Sequence, residues 1–287
     1  MKKLLLCLIL IIGFVKLSAQ NRVTVIEDSL FSTATNSYMR FNVVLPANYY
    51  TSDERYTTIY LLHGYGGGEN DWITRTGLVG YLKEYNFIVV TPDGKNSWYS
   101  NSPTVKNKNF EDHIMKEIIP TVEKKYRALS TRHGRVIAGL SMGGVGALKF
   151  GMKFPSSFFI AASFSGALQF PHILEEYFKN NVSKGFEPTL KDAFGAVKSD
   201  TWTKNDPFVL LDSTNVKSLP YLYIAVGKDD PLMGIVDLNR SFSEKLRKKN
   251  AIYEYHELPG VHNWVFWDKE IKALLFKISE YDSKREF

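Results

Sequence analysis

Five short apolar runs recur along the chain, at 57–62, 87–90, 135–140, 158–164 and 219–226, and each is long enough for one buried strand. A sixth strand is read at 252–258. Before them, 22–30 and 37–45 alternate apolar and polar residues and are rich in β-formers until Pro46. They predict two antiparallel strands at one sheet edge. Helical patterns fill the gaps. One is read at 72–85. Phe110, Ile114, Ile118, Val122 and Tyr126 recur every four residues, with Pro120 expected to kink that helix. Ile235, Leu238, Phe242 and Leu246 give another apolar face, and Ile271, Leu274, Leu275 and Ile278 a last one. Strands alternating with helices imply a mainly parallel sheet covered on both faces. Residues 167–218 lack strong strand signals and read as a small cap-like insertion over the site.

Ligands of such sheets bind beyond the carboxyl ends of the strands. Four chemically notable loops fall there: after Leu62, after Leu140, after Val226 and after Leu258. The second is the most telling. RVIAGLSMGGVGALKFG, residues 135–151, reads as a strand, a G-x-S-x-G turn and a small-residue helix that Pro155 ends. In that setting Ser141 is a nucleophile on a sharp strand-to-helix turn. The glycines two residues to either side leave room for the chain to cross itself.

A serine hydroxyl needs a base, and the base needs an orienting acid. Of the six histidines, His256 lies inside the last strand, whereas His262 lies just past it and can reach over the serine. His262 is therefore the expected base. Asp229 and Asp230 compete for the acid, and the spacing of three residues from Gly227 selects Asp230. The tetrahedral intermediate needs N–H donors. The backbone of Met142, after the nucleophile, is one candidate, and the backbone of Tyr65, in the HGYGGG loop, is the other. His63 reads as a structural residue pinning that loop. Trp98 and Tyr99 sit in a polar loop with little apolar company, so they are expected to be exposed substrate-binding aromatics. Trp264 is expected to border the same rim, and Trp267 to be core.

Composition narrows the setting. The chain has 287 residues, enough for one large α/β domain. Lys2 and Lys3, the apolar run 4–15 and the segment ending at Ala19 read as a cleaved signal peptide, leaving 20–287 as the domain. The apolar run is shorter than the roughly 20 residues a spanning helix needs, so no membrane insertion is expected after cleavage. Cleavage removes Lys2, Lys3 and Lys16 and halves the formal net charge of +6. No basic stripe interleaved with aromatics suggests nucleic acid. Cys7 is the only cysteine, so the mature domain has no thiolate nucleophile, disulfide or cysteine metal site. No cofactor or metal motif is present.

The set HGYGGGENDW (63–72), TPDGKNSWY (91–99), GLSMGG (139–144), VGKDD (226–230) and PGVHNWVFW (259–267) resembles the putative esterase family, in order and over nearly the whole domain. That group includes secreted feruloyl and acetyl-xylan esterases, esterase D-like S-formylglutathione hydrolases and mycolyltransferases. The resemblance implies an α/β-hydrolase fold with Ser141 as nucleophile, His262 as base, Asp230 as acid, and Tyr65 and Met142 at the oxyanion positions. The signal peptide and the lack of a mature cysteine depart from the cytosolic glutathione branch. The expected protein is a secreted or periplasmic serine esterase acting on feruloylated or acetylated polysaccharide fragments. A broad short-chain esterase, an acyltransferase and a non-catalytic carbohydrate-binding protein are the alternatives.

Overall fold

A computed structural model describes residues 22–180, 185–232 and 234–282. The expected signal peptide lies outside the described residues. The alternating segments form β1 (Thr24–Ser32) and β2 (Ser37–Leu45), paired antiparallel from Thr24–Leu45 to Ser32–Ser37. The apolar runs form β3 (Thr57–Leu62), β4 (Phe87–Pro92), β5 (Arg135–Leu140), β6 (Ile160–Phe164) and β7 (Tyr221–Gly227), and the last strand is β8 (Tyr253–Leu258). One sheet results, in the order β1-β2-β4-β3-β5-β6-β7-β8. β2 meets β4 antiparallel, and every later pairing is parallel. The two hairpin strands thus cap one edge of a six-stranded parallel sheet, the α/β-hydrolase arrangement.

The central strands are buried on both faces because helices cover both. On one side lie the elbow helix Met142–Lys153 and the helix Ile235–Lys248, whose Phe242 and Leu246 join Tyr60, Ile137 and Ile224 in the core. On the other, Trp72, Leu78 and the helix Trp264–Asp282 pack Ile271, Leu274 and Leu275 against Ile59, Val136 and Ala162. Each such side chain contributes about 1.5–3 kcal/mol by leaving water. Met142 to Met152 are all buried, which explains why that helix is built from small and apolar residues.

One expectation changes. The helix read at 72–85 is two short ones, Asp71–Arg75 and Leu78–Tyr81. They are broken at Thr76, whose backbone is extended while its hydroxyl bonds back to the Trp72 carbonyl at 2.5 Å. Around Pro120 the helix is continuous. Pro120 has no N–H for the ladder, and the helix takes this up in a π-helical segment, His113–Ile118, directly before Ile119–Lys125. Residues 167–218 hold short helices from Gln169–His172 to Pro207–Ser213, joined by an aromatic cluster of Phe170, Phe194, Trp202 and Phe208. No helix among the described residues is long and apolar enough to cross a membrane.

Candidate active site

Ser141 sits at the end of β5 with φ 51° and ψ −114°, a left-handed backbone that a non-glycine residue adopts only when its surroundings force it. Its N–H donates to the Phe164 carbonyl (2.9 Å), and its carbonyl accepts from Val145 (3.1 Å) and Ala167 (3.1 Å). A Cβ at Gly139 would come within 2.4 Å of the Gly143 carbonyl oxygen. One at Gly143 would come within 2.5 Å of the Leu62 carbonyl. The two glycines of G-x-S-x-G are therefore there because strand, elbow and neighbouring strand touch backbone to backbone.

The loops after β7 and β8 converge on this turn. His262 Nε2 lies 3.0 Å from Ser141 Oγ, and Nδ1 lies 2.7 Å from Asp230 Oδ2. The Asp230 carboxylate is fully buried, and its second oxygen accepts the Leu232 N–H at 3.0 Å. Asp229 is exposed, and among the described residues only its backbone is engaged, its N–H donating to the Gly260 carbonyl. His256 pairs instead with Glu254 (3.1 Å), within its own strand. The geometry thus separates both competing pairs of residues. A serine hydroxyl, an imidazole and a buried carboxylate in line can pass the hydroxyl proton to nitrogen while the carboxylate stabilises the imidazolium.

A pocket of about 220 Å³ opens in front of Ser141, walled by Tyr65, Gly66, Arg75, His262, Trp264 and Trp267. Gly64 packs against Leu140 and Ser141, which brings the next residue, Tyr65, to the pocket wall. Among the described residues no hydrogen-bond acceptor engages the Tyr65 amide. Met142 opens the elbow helix, so its N–H has no partner within the helix. Two unspent donors beside a serine suit an oxyanion. His63 does pin the loop: the Gly94 N–H donates to its Nε2 (2.8 Å), and Nδ1 donates to the Gly64 carbonyl (2.7 Å). Beside it, burial works against the charge of Asp93. Lys95 Nζ at 2.6 Å and the Lys95 N–H at 2.9 Å nonetheless hold this carboxyl below the usual range.

Trp98 and Tyr99 are not exposed substrate-binding residues. Trp98 is 3% exposed and Tyr99 fully buried. Trp98 packs against Tyr65, Phe170, Phe186 and Phe194, with its indole N–H on Thr189 (3.2 Å). The apolar company missing from their own loop comes from the insertion and the elbow helix, distant in sequence. Trp264 does line the pocket, under the Arg75 guanidinium. Trp267 is core, as expected, yet it also lines the pocket and meets His262 edge-on. Arg75 and Asn96 carried no sequence signal for the site. Arg75 reaches it through the broken helix, and Asn96 Oδ1 accepts the Gly66 N–H (2.7 Å). Beyond Asn96 lies a second cleft of about 260 Å³, lined by Ser37, Asn107, Lys108, Asp192 and Phe110, which does not include Ser141. Among the described residues no group of three or more His, Cys, Asp or Glu side chains could hold a metal ion.

Residues 32–278 match the family described as "Putative esterase". The chain is 32% identical over 223 residues to an acetyl esterase of Caldicellulosiruptor saccharolyticus, covering 76% of this chain and 81% of that protein. It is 28% identical over 163 residues to an endo-1,4-beta-xylanase/feruloyl esterase of Xylanibacter ruminicola, covering 52% of this chain and 22% of that much longer one. Among solved structures, the substrate-bound fluorophosphonate-binding serine hydrolase F of Staphylococcus aureus superposes with a TM-score of 0.78. It is 24% identical, over 90% of this chain and 98% of that one, and shares its fold.

Proposed function

From the premise that this chain belongs to the putative esterase family and is a carboxylic-ester hydrolase, we propose that it is a secreted serine esterase for acetylated or feruloylated polysaccharide fragments. The observation that carries the chemistry is the unbroken Asp230–His262–Ser141 array facing a pocket with the free Tyr65 amide. Ser141 Oγ attacks the ester carbonyl as His262 Nε2 takes its proton. The oxyanion rests on the Tyr65 and Met142 amides. His262 then gives the proton to the leaving alcohol, and the acyl group stays on Ser141. Water, deprotonated by His262, attacks the acyl-enzyme, releases the acid and restores the serine.

Three observations support the substrate class. A pocket of about 220 Å³ is smaller than the roughly 300–1,000 Å³ usual for organic ligands and suits a short or flat acyl group better than a lipid chain. Tyr65 and Trp264 supply aromatic surface for an aryl group or a sugar ring. The similar proteins named for acetyl and feruloyl esters point the same way. Export rests on the basic and apolar start of the sequence, residues 1–19.

The test is kcat/KM for methyl ferulate and acetylated xylo-oligosaccharides against butyryl and octanoyl esters. A clear preference for the long acyl chains would overturn the substrate class. An added sugar acceptor that captures most of the acyl group would favour acyl transfer instead.

A further inference from the structure

The loop after β4 holds the chain on both sides of Tyr65. On one side, the Tyr99 hydroxyl donates to the His63 carbonyl (3.1 Å), while the His63 ring ties Gly94 to Gly64. On the other, Asn96 Oδ1 accepts the Gly66 N–H (2.7 Å). Tyr65, which lines the pocket and whose amide has no acceptor among the described residues, thus lies between neighbours anchored to one loop.

That loop bonds within itself through Ser97, whose Oγ donates to the Gly94 carbonyl (2.5 Å) and accepts the Tyr99 N–H (3.1 Å), yet three of its residues take a backbone that calls for outside support as well. Lys95, Trp98 and Tyr99 have φ of 49°, 54° and 49°, a left-handed backbone that non-glycine residues avoid. What secures it is Lys149, on the elbow helix that begins just after Ser141. Lysine is almost never fully buried unless its donors are used. Lys149 is 1% exposed, and its ammonium donates to the Trp98 carbonyl (3.2 Å), the Tyr99 carbonyl (2.5 Å) and Ser100 Oγ (2.7 Å). Three donors meet three acceptors. The Tyr99 ring is fixed as well, between Gly94 and Gly146, where an added Cβ would come within 2.3 and 2.9 Å of it.

We propose that Lys149, Tyr99 and Asn96 are positioning residues. Through them the helix carrying the nucleophile sets where the Tyr65 amide stands relative to Ser141. The inference rests on the serine-esterase reading and on Tyr65 as an oxyanion donor. It adds that the donor is held by a buried ammonium, by way of the loop after β4, in addition to the turn that its own segment closes from the Gly67 N–H to the Gly64 carbonyl (3.2 Å).

The experiment compares Tyr99→Phe, Asn96→Ala and Lys149→Met with wild type on p-nitrophenyl acetate. Rates are divided by the Ser141 sites that a fluorophosphonate titrates, and phenylboronic acid reports on the tetrahedral adduct. The expected result is a fall in kcat per titrated site of roughly tenfold or more for each variant, with KM changed about twofold at most. The boronate Ki should rise by the same factor as kcat falls. Full kcat per titrated site in Tyr99→Phe and Asn96→Ala overturns the proposal, even with a lowered Tm, because a purely structural role removes active molecules without slowing those that remain. If Lys149→Met does not fold, these two variants decide. Failure of the underlying reading looks different: wild type would then not be labelled at Ser141, or Ser141→Ala would retain turnover.

Discussion

The imidazole of His262 and the indole of Trp267 meet edge to face, with ring centres 4.9 Å apart and planes at 88°. Trp267 is held in turn by Trp264 (5.2 Å) and by its N–H on Ser165 Oγ (3.3 Å), and Trp264 rests on Trp72 (5.4 Å). The histidine that must swing between serine and leaving group is therefore backed by a wall of three tryptophans. We expect Trp267→Ala to lower both Tm and kcat, since truncating a buried tryptophan costs about 3–5 kcal/mol and frees the ring. Trp267→Phe keeps an aromatic edge and should stay within a few-fold of wild-type kcat. Thermal melts and steady-state kinetics on the pair test this. Equal losses in both variants would mean that the indole N–H, not the wall, matters.

Ser141→Ala should reduce ester turnover to background while Tm moves little. The substitution removes one oxygen and leaves the left-handed backbone as it was. Turnover within a few-fold of wild type would refute the nucleophile assignment.

Asp230→Asn should lower kcat by on the order of 10⁴, because an amide in that place favours the wrong imidazole tautomer. Asp229→Asn should change it little, since the Asp229 side chain is exposed and away from His262. Side-by-side kcat values decide, and comparable mild losses would speak against Asp230.

Lys149 gives a pH signature. Burial pushes its ammonium from 10.5 down to about 7, and the more distant Glu111 only partly offsets this. Between those values the unfolded chain binds a proton that the native chain lacks, so this group makes stability rise from about pH 7 to about pH 10. Below pH 7 both states are protonated, and its contribution is flat. In protein with isotopically labelled lysine, one side chain should titrate near pH 7 in NMR. Urea unfolding should show a positive stability slope above pH 7 that Lys149→Met lacks. A lysine set titrating entirely near pH 10 contradicts it.

Trp264→Ala should lower kcat/KM for methyl ferulate more than for p-nitrophenyl acetate, because a flat acyl group loses the larger contact. The ratio of the two specificity constants is the readout, and an unchanged ratio would remove Trp264 from acyl recognition.

The local pattern was enough to predict the eight strands, the strand–elbow–helix unit and the carboxyl-end loops that carry Ser141, Asp230 and His262. Each depends on chemistry within a few residues: apolar runs that must be buried, glycines where backbones touch, and side chains placed just past a strand. Tertiary structure decided what depends on neighbours far away in the chain. Asp230 is distinguished from Asp229 by the His262 ring, which arrives from the next loop. Trp98 and Tyr99 read as exposed in their polar loop, but Phe170, Phe186 and Gly146 bury them. Nothing in the sequence marks Lys149, and folding brings three oxygen acceptors from the loop after β4 to its ammonium. A sequence shows what a segment must do with its own side chains, and only the packed sheet shows which distant groups meet them.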